Sequence, residues 1–168
     1  VSRLLWLVLL PVLASFRTDA QQDCAPCHNE QIADFSKHKH NSRAGLQCGV
    51  CHGPSEKHRK SNGEAPPERV AAPDEVAGMC GNCHQLEKNQ YMQSKHHAAV
   101  VQRTAKSANC STCHGHHDMK EWTATQAGCA RCHTATPAAC KQPPVSAGAA
   151  KVTCMNCHAR HTLAVSSR

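Results

Sequence analysis

Cysteine and histidine set the chemistry open to this chain, with 13 Cys and 14 His among 168 residues. Twelve of the cysteines fall in C-x-x-C pairs, and every pair is followed at once by a histidine. The first three copies are Cys24-Ala-Pro-Cys27-His28, Cys48-Gly-Val-Cys51-His52 and Cys80-Gly-Asn-Cys83-His84. The others are Cys110-Ser-Thr-Cys113-His114, Cys129-Ala-Arg-Cys132-His133 and Cys154-Met-Asn-Cys157-His158. With 14 His in 168 residues, chance alone would place a histidine after all six pairs on the order of once in a few million such chains.

C-x-x-C-H is the attachment signature of c-type haem. Two thiols must reach two vinyl groups on neighbouring corners of one porphyrin, and a two-residue gap sets that separation. The following imidazole then lies under the ring centre, where it can bind the iron as proximal ligand. Two other readings compete. Disulfides suit an exported protein, and paired C-x-x-C knuckles bind zinc, but neither explains the six histidines. The cofactor expectation is therefore six haem c groups, with His28, His52, His84, His114, His133 and His158 on the irons.

Eight histidines remain, and beside six haems they read as sixth ligands. The chain divides into three tandem two-haem units, Cys24 to His58, Cys80 to His117 and Cys129 to His161. Ser36-Lys37-His38 in the first is echoed by Ser94-Lys95-His96 in the second. His117 and His161 each stand three residues past their motif histidine, and His58 stands six past its own. The expected distal ligands are thus His38, His58, His96, His117 and His161, with one more drawn from His40, His97 or His116. Failing that, one haem is not bis-His, with Met79, Met92, Met119 and Met155 as alternatives. Cys140 is the unpaired thiol, read as a small packing residue. Two neutral imidazoles saturate an iron, so such haems exchange electrons and make few bonds.

These sites must be positioned by very little protein. Trp, Tyr and Phe number 2, 1 and 2, and aromatic side chains supply much of an ordinary core. Alanine-rich segments bury too little area to offset chain entropy, so cofactors must fill the centre and pack on one another. The fold expectation is mainly α: short helices and extensive loops around a chain of haems, with little or no sheet. Asn29 to Lys37 and Gln85 to Lys95 have helix-compatible composition, and Ser61 to Pro67 forms a turn-rich linker. Gln142-Pro143-Pro144 and the stretch to Ala150 form another loop.

Residues 1–20 read as a signal peptide, with Arg3, an apolar run from Leu4 to Leu13 and a small-x-small site at Thr18-Asp19-Ala20. The run is shorter than the ~20 residues a spanning helix needs. Residues 21–168 would then form one haem domain in the periplasm or outside the cell. The formal charge is +7, but roughly twelve propionates on six haems offset it, so nucleic-acid binding is not expected.

The six motifs, the Ser-Lys-His segments and the C-x-x-C-H-G form at His52 and His114 resemble the bacterial periplasmic multihaem cytochromes c. Both the pentahaem electron donors of nitrite reductase and the decahaem component of outer-membrane conduits are similar. The resemblance covers residues 24 to 161 and implies bis-His haems in a near-linear chain. It also implies exchange of electrons with redox partner proteins: a quinol-oxidising membrane cytochrome, a terminal reductase or an outer-membrane conduit. Electron carriage is the leading expectation. The alternatives are a reductase with one open haem and a subunit of a conduit or self-associating filament.

Overall fold

A computed structural model describes residues 23–104, 107–120, 125, 128–133 and 154–165. The signal segment, Cys140 and the loop around Pro143 lie outside the described residues. Those described form short helices and loops, as expected, and the β pairing among them is one isolated bridge between His158 and Val165. None of their helices is long and apolar enough to cross a membrane.

Each motif folds into a single helical turn, for a local reason. In an α-turn, positions i, i+3 and i+4 share one face, so both thiols and the imidazole point the same way. α3 (Cys48–His52) and α8 (Cys110–His114) are two motifs themselves. α5 (Val76–Cys80) ends on the first cysteine of a third. The N–H groups of His28, His84, His133 and His158 donate to the carbonyls of Cys24, Cys80, Cys129 and Cys154 at 2.9 to 3.0 Å. In the last two motifs the turn is a 3-10 helix, Gly128–Arg131 and Cys154–Asn156.

First and second motifs of a unit then diverge. His28 and His84 stand at the N-caps of α1 (Asn29–Lys37) and α6 (Gln85–Tyr91), so the chain runs on as helix. His52 and His114 are each followed by a glycine with positive φ, Gly53 at 70° and Gly115 at 86°. With ψ near 180°, this conformation is essentially reserved for glycine, and it turns the chain out of the helix.

α1 matches its expected span. The helix expected over Gln85 to Lys95 instead breaks after Tyr91 and restarts as α7 (Lys95–Val101). Ser94 is the cause: its buried side chain accepts the N–H of His97 and caps the new helix. α2 (Lys39–Ser42) and α4 (Glu56–Lys60) complete the first unit.

The apolar core among the described residues is small: Val76, Ala77, Tyr91 and Val100, with no side chain fully buried. It lies where α5 meets α6 and α8. Tyr91 donates its hydroxyl to the Ala108 carbonyl at 2.9 Å. Buried Asn109 caps α8 in a reciprocal box with Thr112 and donates to the Pro73 carbonyl at 3.1 Å.

Candidate haem-binding array

Five histidine pairs organise the site, and each joins a motif histidine to a non-motif histidine. Ring centres are 6.0 Å apart for His28 and His58, 6.0 Å for His52 and His117, and 5.9 Å for His84 and His40. They are 6.2 Å apart for His114 and His161 and 6.0 Å for His133 and His96. A metal between two imidazoles, bonded at ~2.0–2.1 Å to nitrogens that sit ~1.1 Å from their ring centres, separates those centres by roughly 6 Å. The spacing therefore fits one iron per pair, with the porphyrin supplying the other four nitrogens.

Several rings are fixed in the orientation an iron requires. The Nδ1–H of His52 donates to the Arg69 carbonyl at 3.0 Å, that of His58 to Ala65 at 2.8 Å, and that of His158 to Leu163 at 2.8 Å. His161 makes the same kind of bond to Oε1 of Gln90 at 3.3 Å. A carbonyl only accepts, so Nδ1 holds the proton and Nε2 keeps its lone pair, the arrangement of a metal-binding histidine. Burial holds His40, His96, His114 and His117 below the ordinary imidazole range, and the neighbouring imidazoles add to it. Desolvation likewise lowers His161, against the opposing carboxylate of Glu87. All five are thereby held in the neutral form that binds metal.

The cysteines order the motifs in space. Within units, Cys24 and Cys48 are in hydrogen-bond contact, as are Cys80 and Cys110, and Cys129 and Cys154. Between units, Cys51 lies near Cys80 and Cys83, and Cys113 near Cys129 and Cys132. Consecutive motifs are thus spatial neighbours along the chain. No disulfide joins the motif cysteines. Among the described residues, no three Cys, His, Asp or Glu side chains gather to hold an ion unaided. A zinc knuckle would need such a group, whereas two opposed imidazoles beside two thiols suit a porphyrin.

Four of the distal residues expected from sequence, His58, His96, His117 and His161, stand opposite motif histidines. In place of His38, it is His40 that faces a motif histidine, His84. His38 lies against His40 at 4.9 Å and accepts its backbone N–H. The Ser-Lys-His likeness is out of register by one helix cap: His38 caps α2 as Ser94 caps α7, so His40 corresponds to His96. A signal for this was present, since His40 and His96 both stand twelve positions past the first motif histidine of their unit. His97 packs edge-on to Tyr91 at 5.4 Å, and His116 is exposed beside His117.

Sequence reasoning missed two arginines. Arg69 donates to the carbonyls of Cys51 and Val50 at 2.7 and 3.0 Å, and Arg131 donates to that of Thr112 at 3.1 Å. Both bind C-terminal carbonyls of a motif helix, where positive charge is favoured.

No family model matches the chain, and no solved structure matches it. It is 28% identical over 156 residues to "Multiheme cytochrome MtrA" of Shewanella baltica (strain OS185), covering 82% of this chain. The chain spans 45% of the length of that relative. This likeness, together with the attachment motifs, supports a multihaem c-type cytochrome.

Proposed function

We propose that this chain carries electrons through six covalently attached haem c groups, exported to the periplasm or cell surface as part of a respiratory chain. The observation that carries this reading is the set of five imidazole pairs, each with one motif and one non-motif histidine. The motif thiols would form thioethers, and the paired histidines would hold the irons from both sides. When bound, the haem irons alternate between Fe(III) and Fe(II) and pass one electron along the row.

The residues serve this role by fixing geometry. His40 and His96 each reach from one unit to the first motif histidine of the next, while His117 and His161 each reach back to the second motif histidine of the previous one. Each unit boundary is thereby clamped from both sides, which limits movement between neighbouring irons. Two nitrogen ligands leave an iron little room for substrate and keep its potential below that of Met/His ligation. The fitting partners are redox proteins: a quinol-oxidising membrane cytochrome as donor, and a terminal reductase or outer-membrane conduit as acceptor.

Intact mass and visible spectra of holoprotein from a host with cytochrome maturation test the reading. Six haem additions with a predominantly low-spin spectrum are expected. A colourless or zinc-loaded protein would refute it.

A further inference from the structure

Arg69 and Arg131 hold the same position at two places in the chain. Arg69 donates to the Val50 carbonyl at 3.0 Å, and Arg131 to that of Thr112 at 3.1 Å. Each acceptor is the residue just before the second cysteine of a unit's second motif, Cys51 or Cys113. Arg69 adds a bond to the carbonyl of Cys51 itself at 2.7 Å. The two arginines arrive by unrelated routes. Arg69 lies in the linker ahead of α5, and Arg131 lies inside the fifth motif, on its 3-10 turn. The likeness is one of place, not of sequence.

Both places are unit boundaries. Cys51 lies near Cys80 and Cys83, and Cys113 near Cys129 and Cys132. Burial, chiefly, pushes the thiols of Cys51 and Cys113 up, and each guanidinium opposes it, joined by Lys120 at Cys113. The positive charge is thus felt at the sulfur. Among the described residues, neither guanidinium is in an ion pair with a carboxylate. Capping alone is a modest role here, since α3 and α8 have five residues each and sum few peptide dipoles.

Resting on the six-haem reading, we infer that Arg69 and Arg131 set charge at the unit boundaries and raise the potentials of two haems, the one on Cys48 and Cys51 and the one on Cys110 and Cys113. A ferric haem carries one more positive charge than a ferrous one, so a fixed cation beside the ring disfavours the oxidised form. The second haem of units one and two thereby holds its electron more tightly at the crossing to the next unit.

Spectropotentiometric titration of full-chain holoprotein, with haem content fixed by intact mass, tests this. Arg69→Gln and Arg131→Gln should each lower one component of the curve. At that component's parent midpoint the reduced-to-oxidised ratio should fall about tenfold, which is ~59 mV for one electron. Arg69→Lys and Arg131→Lys keep the charge and should stay on the parent curve. In His117→Met, which separates the haem on Cys48 and Cys51, Arg69→Gln should lower that component and Arg131→Gln leave it in place. An unmoved curve in the glutamine variants would overturn the inference, as would a shift of the wrong component. An equal fall in the lysine variants would make the role geometric and overturn it too. Loss of haem from a glutamine variant would make that arginine an attachment residue, with the same result. Fewer than six haems in the parent would instead overturn the reading beneath it.

Discussion

The ring of His40 lies 5.9 Å from that of His84, across the boundary between the first two units. His38, two residues earlier, packs on His40 and caps the helix that carries it. The two histidines therefore hold different places, His40 opposite a motif ring and His38 at a helix cap. In holoprotein, His40→Ala should convert one haem from low to high spin and add one carbon monoxide per chain. His38→Ala should leave the spin state unchanged and lower thermal stability by about 1 kcal/mol, the usual cost of a lost cap. Electron paramagnetic resonance on both variants checks this, and the reverse outcome would restore His38 as the ligand.

The turn at each motif was legible because the C-x-x-C-H spacing is a local property of five consecutive residues. So was α1, whose start is set by the motif histidine before it. The partners were harder, because His52 and His117, or His114 and His161, meet across unit boundaries that no local pattern describes. His38 and His40 show the failure in detail. Matching letters aligned Ser-Lys-His with Ser-Lys-His, while the fold aligns helix caps, and a histidine caps α2 where a serine caps α7.

Gly53 and Gly115 should resist replacement. A Cβ on Gly115 would meet Oδ1 of Asp118 at 2.8 Å, and one on Gly53 would meet Oε2 of Glu68 at 2.8 Å. Both glycines also hold positive φ with extended ψ, which costs other residues about 1–3 kcal/mol. Gly115→Ala is expected to lower the unfolding free energy of holoprotein by that amount. Gly49→Ala, whose Cβ meets nothing within 4 Å, should fall within about 0.5 kcal/mol of the parent. Chemical denaturation followed at the Soret band compares them.

Tyr91 gives the fold an alkaline limit. Burial, chiefly, pushes its phenol up to about 12 from an ordinary 10, with the neighbouring Cys110 and Cys113 adding to it. Thioether formation at these cysteines would remove their contribution and leave that of burial. The unfolded chain then ionises first, so the contribution of this group is fully present below pH 10 and is lost as pH rises through 12. The difference in melting temperature between parent and Tyr91→Phe should therefore be constant up to pH 10 and shift in favour of the variant above it. Equal slopes for the two proteins up to pH 12 would show that the phenol ionises freely.

The pair formed by His52 and His117 predicts where the potential of the row can be tuned. Met119 is already near in sequence, but the imidazole of His117 is the group that faces the motif ring at 6.0 Å. Exchanging one imidazole for a thioether favours Fe(II), because sulfur donates less charge to the oxidised iron. His117→Met should therefore raise the potential of one haem on the order of 0.1 V, within the ~0.8 V that axial ligands span. The same variant should leave the haem count at the parent value, since attachment depends on Cys48 and Cys51 rather than on the distal side. A spectropotentiometric titration reads the shift as one component moving upward out of the parent envelope. If the whole titration curve stays in place, the ring of His117 is not on the iron of the second motif. If that haem sits between its neighbours in a row, the variant should also slow electron passage from the first haem to the third, creating an electron trap while the second unit still supplies a ligand to the first.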